Sequence, residues 1–125
     1  MPELKKYKMF INGEWVNSDT EKIFETLNPE NNKPWAVVPE ASASDVDRAV
    51  KAAQNAFEGE WPKLLPKERA RYLRMIGDKL RDNAEHLGKI ETIDTGKLYR
   101  ETYKQANYIA EYYDYYAGLA DKVEG

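Results

Sequence analysis

The chain carries few of the side chains on which enzyme chemistry is usually built. It has no cysteine and a single histidine, His86. Without a thiol there is no disulfide, no thiolate metal ligand and no cysteine nucleophile. One imidazole excludes a histidine-rich metal cluster, and any Ser-His-Asp triad would have to use His86. No Ser-Asp pattern surrounds it, and its place just after Asn83 reads as a solvated helix-start histidine. Asp94 is the carboxylate that asks for an explanation. It lies four residues after Ile90 and seven after Leu87, on the stripe expected to bury its helix. A carboxylate there must be paired or coordinated. The local readings are hydrogen bonding to the Thr95-Gly96 turn or pairing with a Lys or Arg. The acids from Glu58 to Glu60 read as solvated surface. The basic excess of Lys63, Lys67, Arg69, Arg71 and Arg74 reads as an outward helix face rather than a docking patch.

The elements that must hold these residues fit within 125 residues, the length of one ordinary domain. Nineteen Lys and Arg against 22 Asp and Glu leave a net charge of −3, without the basic footprint of a nucleic-acid binder. No apolar run approaches a membrane span or a signal-peptide core, so no membrane partner is expected and a cytoplasmic address is the default.

Residues 7–38 read as strands. Tyr7 to Ile11, the hairpin-turn dipeptide Asn12-Gly13 and Glu14 to Val16 form a first hairpin. Lys22 to Leu27 and Pro34 to Val38 form a second, with Pro34 and Pro39 keeping the last strand short or at an edge. Over 42–122 the period changes from 2 to about 3.6. Ser44 with Asp47 reads as a capping box, and Val46, Ala49, Val50, Ala53 and Phe57 follow as the inward stripe of a helix that Gly59 ends. Pro66 opens a second helix with Ala70, Leu73, Ile76 and Leu80 inward. Asn83 caps a third, with Leu87 and Ile90 inward and Gly96 as its stop.

The fourth helix, about Lys97 to Lys122, carries two apolar rows. Tyr99, Tyr103, Ala106, Ala110, Tyr113, Ala117 and Ala120 form one; Leu98, Thr102, Ile109, Tyr112, Tyr116 and Leu119 form the other. Such a face is wider than one neighbouring helix covers. Without Leu or Ile at the repeating Tyr and Ala positions a coiled-coil seam is disfavoured. Either the chain oligomerises or it lacks what normally covers this face, and the second is preferred.

The signals come in a specific order: Phe10-Ile-Asn-Gly-Glu-Trp15, Leu27-Asn-Pro29, Asp45 to Ala53 with Ala56-Phe57, Trp61, Arg69, Glu91-Thr-Ile-Asp-Thr-Gly-Lys97 and Tyr115-Tyr-Ala-Gly118. In that order the chain resembles the N-terminal segment of the NAD(P)-dependent aldehyde dehydrogenase superfamily, from about Lys8 to Gly125. Asn31-Asn32 in place of a Thr-Gly-like turn and Pro34-Trp35 in the return strand are departures. The resemblance implies an α+β segment of an α/β enzyme: two hairpins, then about four helices flanking a Rossmann-like coenzyme-binding domain. Residues 1–125 would be the incomplete N-terminal part of that domain.

The family oxidises aldehydes to carboxylic acids using a Cys thiolate, an oxyanion pocket and a nicotinamide hydride acceptor. This chain has no Cys, and its glycines at 13, 59, 77, 88, 96, 118 and 125 form no phosphate-cradling loop. The resemblance therefore implies a parent that uses NAD or NADP, and a chain that is inactive alone, with no catalytic or coenzyme-binding residue of its own. It further implies a monovalent cation such as sodium or potassium held by the Thr26 and Leu27 carbonyls with Asp94. It implies an aldehyde tunnel lined by Gln105, Ile109 and Tyr112, residues whose plain reading is core or interface. Arg69 would form a structural ion pair. Expected partners are the aldehyde, the rest of the same polypeptide, and copies of the parent in a homodimer or homotetramer. The rival readings are a stand-alone, non-enzymatic helical interaction module derived from the same family, and a regulatory or structural α+β domain that resembles it by chance.

Overall fold

The computed structural model describes residues 4–122, and the chain divides between Lys63 and Leu64 into two compact units. In the first, β1 (Lys5–Lys6), β4 (Ile23–Asn28) and β5 (Lys33–Pro39) form a sheet in the order β1-β5-β4, while β2 (Met9–Ile11) and β3 (Glu14–Val16) form a separate hairpin. Asn12 and Gly13 join β2 to β3 with φ of 52° and 83°. Two positive values in succession suit the right-handed twist of the strands, which is why this dipeptide makes the turn. The β4–β5 turn is built by asparagines. The Asn28 carboxamide oxygen accepts from Glu30 N at 2.9 Å, that of Asn31 accepts from Lys33 N at 3.0 Å, and Asn32 takes a φ of 54°.

Both hairpins are where the sequence places them, with two differences. Tyr7 and Lys8 do not belong to the first hairpin. The segment before them pairs in parallel with β5, Lys5 opposite Ala36 and Lys6 opposite Val37, and Tyr7 N donates to the Val37 carbonyl at 3.0 Å. Consequently β5 is the central strand, not an edge. Its prolines are tolerated because only Ala36 and Val37 are paired on both sides. Pro34 lies opposite Leu27 beyond a register shift that leaves Trp35 as the extra residue, and Pro39 ends the strand.

Helix α1 (Ala43–Glu58) starts two residues earlier than the Ser44-Asp47 pattern suggests. Ser42 is the N-cap: Asp45 N donates to its hydroxyl at 3.1 Å, and its own N–H donates to the Asp45 carboxylate at 3.0 Å. The inward stripe also shifts. Arg48, Ala52 and Asn55 line a groove with Ile11 and Val16, whereas Val46, Val50 and Phe57 are exposed, Phe57 by 70%. The small β2–β3 hairpin offers the Val-Phe stripe nothing to bury against.

A 3₁₀ turn at Trp61–Lys63 closes the first unit, and the second contains α2 (Pro66–Asp82), α3 (Ala84–Thr95) and α4 (Tyr99–Leu119). Pro66 occupies the first turn of α2 and Gly96, at φ 75°, ends α3. Helices α2 and α3 both pack on α4 through small residues: Ala70 and Gly77 from α2, Ala84 and Gly88 from α3, and Thr102, Ala106, Ala110 and Ala117 from α4. A Cβ on Gly88 would sit 2.9 Å from Tyr103 N, so glycine is what lets α3 reach the α4 backbone. The inner row of α3 is thus Ala84, Gly88 and the half-buried Thr92, while Leu87 is exposed and Ile90 half-buried. Asp94, placed on the inner stripe by the Leu87-Ile90 spacing, is exposed for the same reason. In α2, Gly77 takes the inner position expected of Ile76, which is exposed.

At the seam the Thr102 hydroxyl, fully buried, lies 2.9 Å from the Gly88 carbonyl, 3.0 Å from the Tyr99 carbonyl and 2.9 Å from the Thr92 hydroxyl. With one proton it donates to one carbonyl and accepts from Thr92. Arg81 ties α2 to Asp114 on α4 and contacts Asp78 at 3.2 Å, and these carboxylates hold its guanidinium above its ordinary pKa. Arg69 forms no carboxylate pair among the described residues; its guanidinium donates to the Leu64 carbonyl at 2.6 Å.

Candidate functional site

Helix α4 has two dissimilar faces. Its inner face of Thr102 and alanines is consumed by α2 and α3. The other side carries Gln105, Tyr108, Glu111, Tyr112 and Tyr115, all exposed. Gln105, Ile109 and Tyr112, at i, i+4 and i+7, come together on one flank of the helix, Ile109 at its margin with 39% exposure. Tyr112 stands edge-to-face against Tyr108, ring centroids 5.0 Å apart, and their hydroxyls are 3.0 Å apart. That hydrogen bond, with the neighbouring phenol's charge and partial burial behind it, raises the Tyr112 pKa above the ordinary phenol value. Tyr115 and Tyr116 make a second edge-to-face pair at 5.3 Å. Tyr108, Glu111, Tyr112, Tyr115 and Tyr116 line an open groove of about 370 Å³. Tyr108, Glu111 and Tyr115 belong to neither apolar row of the sequence reading. The i, i+4, i+7 spacing of Tyr108, Tyr112 and Tyr115 was the signal available for them.

The expected cation ligands are divided between the two units. Thr26 and Leu27 lie on β4 at the register shift, where Thr26 pairs with Ala36 and Leu27 with Pro34; Asp94 lies in the last turn of α3. Oxygen donors of this kind suit a hard cation. Among the described residues no group of three or more His, Asp or Glu side chains is placed to hold a metal. His86 is exposed in the first turn of α3, as its sequence position suggests.

The buried carboxylate of the molecule is Asp45, 1% exposed, which sequence reading treated only as part of α1. Ser42 N, the Ser18 hydroxyl (2.8 Å), Asp19 N (3.3 and 3.4 Å) and the Arg48 guanidinium all donate to it. The Ser42 backbone bond, followed by those from Arg48, Ser18 and Asp19, outweighs burial and holds the carboxyl far below the usual range. Its acceptor capacity is spent on protein groups, so Asp45 locks α1 to the Ser18-Asp19 turn and has no proton to trade near neutral pH. The Ser42-x-x-Asp45 spacing was the readable signal.

The comparisons with known proteins match this arrangement to part of a larger α/β enzyme. The aldehyde dehydrogenase family model matches residues 15–125. The chain is 42% identical over 123 residues to (Z)-2-((N-methylformamido)methylene)-5-hydroxybutyrolactone dehydrogenase of Acinetobacter baylyi, covering 98% of this chain and 25% of that protein. It is 39% identical over 118 residues to betaine aldehyde dehydrogenase of Bacillus subtilis, covering 94% and 24%. Among solved structures it superposes on an NAD-dependent aldehyde dehydrogenase from Sinorhizobium meliloti with a TM-score of 0.93 at 30% identity, covering 98% of this chain and 25% of that one. On the NAD⁺ complex of aldehyde dehydrogenase from Bacillus cereus the TM-score is 0.92 at 41% identity, with 97% and 25% covered. The chain belongs to the aldehyde dehydrogenase family, and it spans about a quarter of the length of these relatives.

Proposed function

We propose that this chain is the N-terminal part of a cytoplasmic NAD(P)-dependent aldehyde dehydrogenase that oxidises an aldehyde to a carboxylic acid and works as a homodimer or homotetramer. The observation that carries this is the match of nearly the whole chain to a quarter of enzymes that include NAD⁺ complexes, by a chain with no cysteine. The nucleophilic thiol and the nucleotide-binding loop then belong to the remainder of the parent. Among the described residues the only parallel pairing is that of β1 with β5, and no glycine-rich turn joins a strand to a helix there, so the residues present do not fit the coenzyme. Bound elsewhere in the parent, NAD(P) supplies the hydride acceptor.

The chain's own contribution is positional. The Gln105, Ile109 and Tyr112 flank of α4 is one wall of the passage by which the aldehyde enters. Ile109 and the Tyr112 ring exclude water, and Gln105 offers an amide donor and acceptor. Thr26 and Leu27 give backbone carbonyls, and Asp94 a carboxylate, to a sodium or potassium ion completed by ligands from the rest of the parent. Calorimetric titration of the 125-residue chain with NAD and with NADP is expected to show no saturable heat. A tight isotherm for either would overturn this reading.

A further inference from the structure

We propose that Asn12, in the turn of the first hairpin, is a site of self-modification, where the backbone nitrogen of Gly13 attacks the side chain and converts it to aspartate and isoaspartate. Of the chain's asparagines only Asn12 precedes a glycine. Both turn residues are exposed, and a Cβ at position 13 would meet nothing within 4 Å, so the space around the turn is open. In the first step the Gly13 nitrogen bonds to Asn12 Cγ and its proton passes through solvent to the departing Nδ2. Cleavage of Cγ–Nδ2 releases ammonia and leaves a cyclic imide. Water then adds to one of the two imide carbonyls. Opening on one side gives aspartate on an unaltered backbone. Opening on the other gives isoaspartate, whose backbone runs through the former side chain and is one methylene longer.

The other asparagines are held against this reaction. Asn28 precedes Pro29, whose nitrogen carries no proton to give up. The Asn31 carboxamide oxygen accepts from Lys33 N at 3.0 Å, and the Asn83 and Asn107 carboxamides donate to the Lys79 and Tyr103 carbonyls at 2.8 and 3.0 Å. Asn17 precedes Ser18, which is buried and bonded to Asp45 at 2.8 Å. Asn32 leads directly into β5, and Asn55 lies inside α1. What holds Asn12 is the turn itself. The imide ring demands a rotation about the Asn12 Cα–C bond that a turn with two positive φ angles does not use, so the reaction proceeds from the opened hairpin. Opening costs little. β2 and β3 form a two-stranded sheet of their own, paired over three residues each, and its Phe10-Trp15 ring pair, centroids 5.0 Å apart, is mostly exposed. The extra methylene of isoaspartate then breaks the two-residue turn that sets Ile11 opposite Glu14, and the hairpin no longer closes in register.

The test is incubation of the 125-residue chain in mildly alkaline buffer, followed by proteolysis and mass spectrometry of each asparagine-containing peptide. Methylation by an isoaspartyl methyltransferase marks the isoaspartyl product. Acid is expected at Asn12 severalfold sooner than at any other asparagine. Trp15→Ala removes one ring of the hairpin pair and should speed conversion at Asn12 about two- to fivefold, the open population that a cross-strand aromatic pair suppresses. The other asparagines should keep their rates in that variant. Conversion first at another asparagine, or none at Asn12, overturns the site. An Asn12 rate unaltered by Trp15→Ala overturns the route through the open hairpin.

Discussion

Replacing Gly88 by alanine tests the central packing claim, because two opposing effects meet at that position. Alanine in a helix interior is favoured over glycine by about 1 kcal/mol through backbone entropy. At Gly88, however, the new methyl would lie 2.9 Å from Tyr103 N and 3.0 Å from Tyr103 Cα, and these are backbone atoms that no rotamer change can move. Helices α3 and α4 must separate, at an overpacking cost of roughly 1–3 kcal/mol. The same movement stretches the Thr102 contacts to the Gly88 carbonyl and the Thr92 hydroxyl, both 2.9 Å, worth about 1 kcal/mol more. The expected net loss is roughly 1–3 kcal/mol, and each kcal/mol lowers the midpoint by about 4–8 °C in a unit of this size. Gly118→Ala is the control, since its Cβ meets nothing within 4 Å; it should be neutral or stabilise by at most about 1 kcal/mol. Thermal unfolding of the 125-residue chain, followed by helical circular dichroism, reads both. A Gly88→Ala midpoint equal to or above that of the parent sequence would refute the close-approach argument.

Other outcomes follow from the same contacts. Thr102→Val keeps the shape and removes the buried hydroxyl, and should cost about 1–2 kcal/mol in urea unfolding. In a double-mutant cycle with Thr92→Val the second substitution should add little; full additivity would mean that the 2.9 Å contact carries no energy. The Asp45 carboxyl titrates far below its unfolded value of about 3.9, so its stabilisation is complete above that pH and is lost progressively as pH falls below it. Asp45→Asn should therefore lower the midpoint at neutral pH by an amount that shrinks below about pH 4. A difference that stays constant from neutral pH down to pH 2–3 would rule out the ionised carboxylate as its source, on roughly the ordinary titration range of the group.

Much of the architecture was legible because it depends on local chemistry. Asn12-Gly13 needs two positive φ angles, Pro66 fits a first helical turn, and Gly96 ends α3 in the left-handed region. None of these requires knowing a distant partner. The errors fall where a distant partner decides. Proline at 34 and 39 argued for an edge strand, yet β1 pairs only at the two residues between them. In α1 and α3 the periodicity points the large apolar residues inward, but the contacts inside each unit go through Ala52, Ala84 and Gly88. Periodicity locates faces; it does not say which face meets which neighbour. That is why the apolar spacing puts Asp94 inside and gives no sign of Asp45, whose carboxylate accepts from Ser42, Ser18, Asp19 and Arg48.

Residue size carries the information that periodicity lacks. The inner face of α4 is Thr and Ala, and α2 and α3 meet it with Ala and Gly, so these helices approach to backbone contact. The outer face is rich in tyrosine with Gln105 and Glu111 among the rings, and Tyr115 is 63% and Tyr116 58% exposed. Large rings suit a neighbour that stands off by a side chain's length, or a ligand admitted between. Among the described residues the buried apolar side chains, Val37 apart, are alanines, while the phenylalanines and tryptophans are half-buried at best. With a quarter-length match to its relatives, this distribution leaves large apolar side chains of α1 and α4, Phe57, Tyr115 and Tyr116 among them, exposed, and their burial is where added hydrophobic stabilisation would come from.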